Sequence, residues 1–458
     1  MRHSLRSLIY ACFLCNWIGF ALCQSLCSAQ QAEVHSTANE GSAESPTDAK
    51  NENEDAEYFE LLKLFADTID QVERNYVKPV SKRELMEAAI EGVLSKLDPY
   101  SDYISPDGID QFRTEVESEF GGIGIRVGIE NKRVVVVTPL FQTPAHRAGI
   151  VAGDQILKID NASTEGMTLD AAIQHLKGKN GTTVSLNVRH RSGETETVQL
   201  KRETVQVETV MGCKRVPNGD WDFMLEGKSK IGYVRLASFS RATADDVRSA
   251  MKWLTAKNAQ AVILDLRFNT GGLLSTAIET ADMFLAEGTI VGTSGRNIKE
   301  QAWTARADGT FDKIPMMVLV NRYSASASEI VAAALQDHER AIVVGGRTWG
   351  KGSVQNIIEL EGGRSALKLT TALYTRPNGK NIHKFPGASD EDEWGVTPNP
   401  GFQVVLNSDE IRDLVNWNFQ TEIIRSVDSE SPGTASFVDR QLQRCIQHLT
   451  AQLANESN

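Results

Sequence analysis

Three segments of the chain place polar or glycine residues directly after a continuous run of apolar residues. The three apolar runs are Ala261–Leu266, Met316–Val320 and Ala341–Val344. Continuous runs of this length are typical of strands buried on both faces of a parallel sheet. In open α/β folds the active site gathers at the carboxyl ends of such strands, so the three segments predict one shared site.

The segment after the second run contains three serines at the start of a predicted helix over 326–336: Ser324, Ser326 and Ser328. A hydroxyl at this place usually caps the helix by accepting a backbone hydrogen bond. It is also well placed for nucleophilic attack, with the N–H of the next residue helping to hold an oxyanion. The residues alone do not choose among the three serines.

The segment after the third run carries Lys351 between two glycines, Gly350 and Gly352. Flanking glycines allow a lysine to be buried at little steric cost, and burial lowers the pKa of an amine, which would make it a general base. Residues 345–351 also nearly match the phosphate-binding pattern G-x-x-x-x-G-K. That loop needs a Ser or Thr hydroxyl where this chain has Gly352, so we expect no nucleotide site.

The segment after the first run ends in Gly271 and Gly272, before a predicted helix over 273–286. Unshielded backbone N–H groups at such a turn can face an anion or a developing oxyanion. The alternative interpretation is simply a tight connection between a strand and a helix.

The helices and strands predicted along the chain must position these residues. They indicate a multidomain protein of mixed α/β and α+β class. Two amphipathic helices are predicted around Leu61–Val72 and Leu85–Leu94, and they suit packing or self-association. Residues 121–205 predict short strands, tight turns and one or two helices. From about residue 206 to 400, buried strands alternate with helices, which indicates an α/β core.

The predicted organisation has six parts. They are an export signal at 1–29, a disordered linker at 30–56, a helical region at 57–106, a β-rich domain at 107–205, an α/β core at 206–400 and a C-terminal helical tail at 401–458. The linker prediction depends on composition, because a segment with almost no apolar residues cannot offset the entropy lost on ordering.

The first 29 residues have the features of a cleaved export signal, with Arg2 and Arg6 before an apolar stretch and a small-residue site at Ala29. An uncleaved membrane anchor is the alternative, although the stretch is short for a full span. Cleavage would leave Cys213 and Cys445, as one disulfide or as two buried thiols. We therefore expect an exported protein of the periplasm or cell envelope.

The net charge of −12 and the absence of a Lys/Arg cluster argue against a nucleic-acid partner. The cysteines and histidines have no metal-ligand spacing. We expect neither a metal nor another cofactor.

Read together, the motifs resemble the C-terminal processing peptidases, or tail-specific proteases, of the Ser/Lys type. The resemblance covers residues from about 60 to about 400. It rests on SASASEIVAAALQD, GRTWGKGSVQ and DLRFNTGGLL in the core, on LDPYSDYISP in the helical region, and on FGGIGIRV, TPAHRAGIVAGDQILKIDN and LKGKNGTTVSLNVR in a PDZ-like domain.

The resemblance implies a serine endopeptidase that acts through an acyl-enzyme. It makes Ser326 the nucleophile and Lys351 the general base, with Gln355 orienting the lysine. The remaining implied residues are the oxyanion-hole donors Gly271, Gly272 and Ala327 and the PDZ loop for the substrate carboxylate, Gly122, Ile123, Gly124 and Ile125.

The implied partners are proteins or peptides with free, apolar C-termini, recognised by adding a strand to the PDZ domain. An adaptor protein and a homodimer or larger oligomer are compatible with the sequence. The PDZ domain is also expected to gate the site.

This chain departs from the family's pattern in three places. Phe268 and Thr270 stand where the family more often has Asn and Pro, which would alter the rigidity of the oxyanion loop. Trp349 stands where Phe is common, and Lys384–Trp394 reads as an acidic insertion. None of these changes removes an implied catalytic group.

Two other functions compete with this interpretation. One is a Ser–His–Asp enzyme built from His338 or His383 with Asp265. The other is a catalytically silent PDZ scaffold that binds protein C-termini. Substitution of Lys351 separates them, because a dyad enzyme would lose turnover and keep tail binding.

Overall fold

The computed structural model describes residues 48–109, 112, 119–216, 219–227, 229–422 and 437–456. The described residues form two compact units. The smaller contains the chain up to Ile109 together with Gln355–Thr370, and the larger contains the rest. The predicted export signal lies outside the described residues. Within those ranges, no helix combines the length and the apolar character needed to cross a membrane.

The smaller unit contains helices α1 (Asp48–Asn75) and α2 (Lys82–Leu94) and strand β1 (Asp102–Ile104). Helix α2 begins with a capping box in which Ser81 and Glu84 satisfy each other's backbone N–H. Strand β1 pairs antiparallel with residues 366–368. The two predicted amphipathic helices are therefore confirmed.

The predicted linker extends too far at its C-terminal end, because α1 already begins at Asp48. The segment 48–56 is polar but contains Ala, Glu and Lys, which favour helix. Once the amphipathic stretch has formed a helix, each added residue costs little, because the unfavourable nucleation step has already been completed. Low apolar content was therefore a poor sign of disorder here.

The PDZ-like region of the larger unit is a sheet with two short helices. Its elements are β2 (Glu119–Gly122), β3 (Ile125–Glu130), β4 (Arg133–Pro139), α3 (Pro144–Arg147), β5 (Gln155–Ile159), β6 (Ala162–Ser163), α4 (Leu169–Leu176), β7 (Thr183–Arg189), β8 (Thr195–Lys201) and β9 (Glu203–Gln206). The main sheet has the order β3-β4-β5-β7-β8, while β2 pairs with β9. A core of its own, which includes Ile123, Ile156 and Leu186, fills this region.

The α/β core of the larger unit follows. Its elements are β10 (Val210–Met211), β11 (Lys214–Arg215), β12 (Trp221–Asp222), β13 (Ile231–Leu236), α5 (Thr243–Ala256), β14 (Ala261–Asp265), α6 (Leu274–Asp282), β15 (Thr289–Gly295), β16 (Ile298–Thr304), β17 (Met316–Val320), α7 (Ala327–Asp337), β18 (Ile342–Gly345), β19 (Ser353–Leu360), β20 (Ser365–Thr375), α8 (Ser408–Glu422) and α9 (Arg440–Glu456). Strands β19 and β20 carry the chain into and out of the smaller unit.

The central sheet has the order β10-β13-β14-β17-β18, and β13, β14, β17 and β18 run parallel. Every residue of β14 and β17 is buried, which agrees with their continuous apolar sequences. The multidomain fold class predicted from the sequence is confirmed. Because β14, β17 and β18 are neighbours, their carboxyl ends meet at one edge of the sheet.

The C-terminal segment contributes to this core and is more than a tail. Helix α9 buries Cys445 and Leu449 against Met317, Leu319 and Val344 of the central sheet. Burial of these apolar side chains explains why a mostly polar helix is held in place. Cys213 and Cys445, the two cysteines among the described residues, are free thiols.

Candidate active site

The loops that follow β14, β17 and β18 are joined by backbone hydrogen bonds. The N–H of Ala325 donates to the carbonyl of Asn269 at 3.0 Å, and the N–H of Trp349 donates to the carbonyl of Ser324 at 2.9 Å. The loop after β17 is therefore bonded to both of its neighbours. The three segments singled out in the sequence do meet at one place.

The three serines have different surroundings. The hydroxyl of Ser324 donates to the carbonyl of Leu266 at 2.8 Å, and that of Ser328 donates to the carbonyl of Asn269 at 2.8 Å. These two hydroxyls join the loops after β14 and β17. Ser326 instead has a φ of +55° at the N-cap of α7, a conformation that non-glycine residues rarely adopt. Among the three serines, this conformation distinguishes Ser326, and such backbone strain is concentrated at functional sites.

Glu329 connects the serine loop to the lysine loop, a role that the sequence motifs did not predict. Its Oε2 accepts the N–H groups of Ser326 and Lys351 at 2.8 Å each, and its Oε1 accepts the N–H of Gly350 at 2.7 Å. The Thr348 hydroxyl donates to Oε1 at 2.6 Å. Burial raises the pKa of this carboxyl, and the four hydrogen bonds act in the opposite direction.

A sequence signal for Glu329 did exist. Ser326 and Glu329 have the spacing of a capping box, S-x-x-E, at the start of α7. The local pattern predicts only a contact between Glu329 and its own helix. It could not predict that the same carboxylate would also hold a loop 21 residues further along the chain.

Lys351 is 6% exposed and lies in a loop with little free space. A Cβ on Gly350 would come within 2.7 Å of the Lys384 Cβ and 2.9 Å of the Trp394 ring, and a Cβ on Gly352 within 2.3 Å of the His383 backbone nitrogen. The glycines on each side of Lys351 are thus required for close packing. Both ends of the predicted insertion, Lys384 and Trp394, pack against Gly350.

The first glycine of the pair after β14, Gly271, lies directly beside Ser326. A Cβ on Gly271 would stand 2.8 Å from the Ser326 Cβ and 3.1 Å from the backbone nitrogen of Ala327. The Gly271 N–H donates to Asn269 Oδ1 at 2.9 Å, so this N–H is already engaged. Among the residues that the structure describes, the N–H groups of Gly272 and Ala327 donate to no protein acceptor. Of the three residues expected to form the oxyanion hole, Gly271 thus differs from the other two in having its N–H engaged.

A buried network of ion pairs holds the loop after β14. Arg267 and Asp265 are 3% and 0% exposed, and their side chains pair at 2.6 Å. Arg267 also pairs with Asp439 at 2.8 Å and donates to Gln441 Oε1 at 3.0 Å, so helix α9 and the residue before it hold the loop after β14. Burial alone would lower the pKa of Arg267, but the charges of Asp265 and Asp439 raise it well above its usual range.

The histidine alternatives find less support in this geometry. His338 Nε2 donates to the Thr289 carbonyl at 2.7 Å, and Asp265 is paired with Arg267 and accepts from the Tyr233 hydroxyl at 2.7 Å. His383 lies beside the lysine loop, where its ring contacts Phe385 edge to face at 5.0 Å. Neither Asp265 nor His338 is positioned as a member of a Ser–His–Asp triad.

Gln355 belongs to the smaller unit and is 1% exposed. Its Nε2 donates to the Thr370 hydroxyl at 3.2 Å, and Thr370 Oγ1 donates to Asp98 Oδ1 at 3.1 Å. The Thr370 N–H donates to Ser101 Oγ at 3.0 Å. Burial raises the pKa of Asp98, but hydrogen bonds from Ser101, Tyr100 and Thr370 together lower it below its usual value. The LDPYS motif is therefore linked to Gln355 through Thr370.

The glycine-rich loop of the PDZ-like region turns its carbonyls toward the protein. Ile123 and Gly124 carbonyls accept the N–H groups of Ala145 and Leu140, each at 2.9 Å. In the described part of the chain, the N–H groups of Ile123 and Gly124 have no protein acceptor. Gly122 ends strand β2 and Ile125 begins strand β3. A loop with two unengaged N–H groups can receive a carboxylate.

One carboxylate joins the PDZ-like region to the core. Glu422, at the end of α8, pairs with Arg126 of β3 and, at 2.5 Å, with Arg235 of β13. Burial raises the pKa of Glu422, but the two guanidinium groups outweigh it and lower this pKa. A charge cluster of this kind couples the position of β3 to that of the central sheet.

Comparison with known proteins gives matches along most of the chain. Residues 230–399 match the model of peptidase family S41, 111–189 match the PDZ domain, and 18–108 match the activating protease CtpB N-terminal domain. The carboxy-terminal-processing protease of Bartonella bacilliformis is 36% identical over 86% of this chain and 88% of its own length.

Two further proteins are similar to this chain. The carboxyl-terminal-processing protease of Synechocystis sp. is 37% identical over 69% of this chain and 73% of its own length. The solved structure of a photosystem II D1 C-terminal processing protease is 28% identical, covers 78% of this chain and 96% of that chain, and has a TM-score of 0.43.

Proposed function

This chain belongs to peptidase family S41, and we propose that it cleaves protein tails with Ser326 as nucleophile and Lys351 as general base. It is a serine-type, PDZ-containing peptidase of the C-terminal processing group. The observation that carries the proposed dyad is the shared hydrogen bonding of the Ser326 and Lys351 N–H groups to Glu329 Oε2. Two residues that lie far apart in the sequence are thereby held in one small region of the core.

In the proposed reaction, neutral Lys351 accepts the Ser326 hydroxyl proton while Oγ bonds to the scissile carbonyl carbon. The oxyanion that forms is held by the N–H groups of Gly272 and Ala327, which donate to no protein acceptor among the described residues. Lys351 then gives its proton to the leaving amine as the C–N bond breaks. Water, deprotonated by Lys351, hydrolyses the acyl-enzyme ester.

We assign substrate capture to the PDZ loop at Gly122–Ile125. The N–H groups of Ile123 and Gly124 support binding of the terminal carboxylate, and β3 offers an edge to which an extended tail can add as a strand. Substrates would then be proteins with free apolar C-termini. Each part of the predicted division has a proposed role. Residues 57–106 give support, 107–205 capture the substrate, 206–400 cleave it, and 401–458 brace the core.

The proposed setting is the cell envelope, where exported proteins would be processed or degraded. This proposal rests on the sequence of residues 1–29. The same proposal includes two further points. An adaptor protein delivers substrates, and copies of the chain assemble through the N-terminal helices.

The test is cleavage of an unfolded reporter with a free apolar C-terminus by the purified chain. The same reporter with an amidated tail runs beside it, as do Ser326→Ala and Lys351→Ala. Cleavage that needs the free tail and is lost in both variants supports the proposal. Cleavage that survives in Lys351→Ala points to another base, and tail binding without any cleavage would favour a PDZ scaffold.

A further inference from the structure

Phe268 has a backbone conformation that a bulky residue rarely adopts. Its φ is +62°, in the left-handed region. Asn321 holds this part of the loop, because its Oδ1 accepts the N–H of Phe268 at 3.1 Å and that of Tyr323 at 3.0 Å. Glycine or asparagine would adopt it with less strain. A phenylalanine kept in a strained conformation, in the loop that leads to Gly271, suggests that its ring has a function.

The Phe268 ring stacks on Tyr323, with centroids 5.6 Å apart and planes inclined by 20°. Both rings are only half-buried, so the pair presents apolar surface to solvent. The Arg322 guanidinium lies 4.9 Å from the Tyr323 ring centroid and donates to its hydroxyl at 2.8 Å. These contacts fix the orientation of the stacked pair.

Trp349 adds a third aromatic side chain to this part of the molecule. It is 40% exposed, and its N–H is bonded to the Ser324 carbonyl. Phe268 comes three residues before Gly271, Tyr323 three before Ser326, and Trp349 two before Lys351. Each of the three loops that carries a proposed catalytic group thus also carries a partly exposed aromatic residue.

We propose that Phe268, Tyr323 and Trp349 form an aromatic rim that binds a large apolar side chain of the substrate next to the scissile bond. The inference rests on the proposed function, since it takes Ser326 as the point of cleavage. Ring faces of this kind favour apolar and aromatic side chains, because burial of their surface is the main driving force. The rim selects the cleavage position, whereas the PDZ domain selects the tail.

The experiment compares reporters that share one unfolded body and one free C-terminal tail. They differ in a single residue flanking the cleaved bond, Leu in one series and Ser in the other. For the wild type we expect kcat/KM to favour Leu by roughly 10- to 200-fold, the range that an apolar contact provides. In Phe268→Asn and Tyr323→Ala this ratio falls below about tenfold.

A stability measurement separates recognition from a structural role. Phe268→Asn should not lower the melting temperature, because asparagine tolerates the left-handed conformation. Tyr76→Asn, which alters an aromatic residue that is 57% exposed in the smaller unit, is the control and should keep the wild-type ratio.

Three results would overturn the inference. An unchanged Leu/Ser ratio in Phe268→Asn, with Ser326-dependent cleavage intact, contradicts the inference alone. An equal loss on both reporters together with a lower melting temperature indicates a purely structural role. If Ser326→Ala still cleaves, the proposed function fails and the rim fails with it.

Discussion

The backbone N–H groups of Ser326 and Lys351 donate to the same oxygen atom, Oε2 of Glu329, at 2.8 Å each. The serine begins helix α7, while the lysine lies in the loop after β18. A shared acceptor fixes the separation of their backbones more firmly than packing alone. The geometry of the proposed dyad is therefore expected to depend on this carboxylate.

Glu329→Gln should lower kcat/KM by about 100-fold, since small displacements of catalytic groups have effects of this size. The amide nitrogen cannot accept a hydrogen bond, so at least one of the two loops loses its contact. Steady-state kinetics on a tail-bearing reporter measures the loss, and peptide binding to the PDZ domain should not change. Glu339→Gln, at an exposed position just beyond α7, is the control. Wild-type turnover in Glu329→Gln would show that this carboxylate is dispensable.

Gly271→Ala should reduce kcat by about 100- to 1,000-fold, similar to the loss of an oxyanion donor. The new Cβ would lie 2.8 Å from the Ser326 Cβ and 3.1 Å from the Ala327 nitrogen, which displaces both groups. Gly362→Ala is a matched control, with a φ of +69° and open space around the position. It should lose about 1–2 kcal/mol of stability from strain and keep its activity. Equal kinetics in both variants would contradict the proposed oxyanion site.

Thr370→Val should lower kcat while KM stays unchanged. The substitution removes the acceptor of the Gln355 amide and the hydroxyl that donates to Asp98, within the smaller unit. The stability loss should be about 1–3 kcal/mol, typical for a buried hydrogen-bonding group that loses its partner. Thr310→Val, which loses an exposed bond to the Ala307 carbonyl, serves for comparison. Normal kcat with reduced stability would argue that Gln355 has no part in catalysis.

Asp439→Ala should destabilise the protein by about 3–5 kcal/mol, the cost of breaking a buried ion pair. Arg267 would lose a partner at 2.8 Å, and its bond to Gln441 would remain as the connection of this loop to α9. Chemical denaturation and reporter cleavage measure the two effects. Asp409→Ala breaks an exposed pair with Arg412 and should cost less than about 1 kcal/mol. Similar losses in the two variants would contradict a bracing role for Asp439.

The surroundings of His190 predict that this residue makes a pH-dependent contribution to the stability of the PDZ domain. Its Nε2 meets Glu196 at 2.9 Å and its Nδ1 meets Asp154 at 3.1 Å. The Glu196 hydrogen bond and the Asp154 carboxylate raise the pKa of His190, although burial lowers it. Since the folded pKa is raised, the stabilisation is fully present below the unfolded pKa of about 6.5 and is lost as pH rises through the folded value.

The matching measurement is thermal unfolding of the full chain at several pH values. His190→Gln should be less stable than the wild type in mild acid, and the difference should shrink toward alkaline pH. His175→Gln is the control. The backbone carbonyl of His175 accepts a hydrogen bond from Arg202, and the substitution leaves this bond in place. A difference that grows with rising pH would contradict the assignment.

Local patterns in the amino-acid sequence were enough to predict the main elements and the three strand-end segments. Apolar runs predict buried strands wherever both faces of a strand are covered, so the residue types of β14, β17 and β18 suffice to locate them. The same reasoning placed the three serines, Lys351 and the glycine pair at one edge of a sheet. The family resemblance was needed to choose Ser326 among the serines. It failed at residues 48–56, because composition does not reveal that a neighbouring helix can extend at low cost.

The way in which these residues are held depends on the folded chain. From the sequence alone, Glu329 is a local helix cap and Asp439 is part of the C-terminal helical tail. Only in the folded chain does Glu329 bind the Lys351 N–H and Asp439 pair with Arg267. The engagement of the Gly271 N–H by Asn269 is equally invisible in the sequence. Hydrogen bonds between distant segments depend on angstrom-scale distances that no local periodicity encodes. The identity of the candidate reactive residues was therefore a property of the sequence, and their geometry a property of the fold.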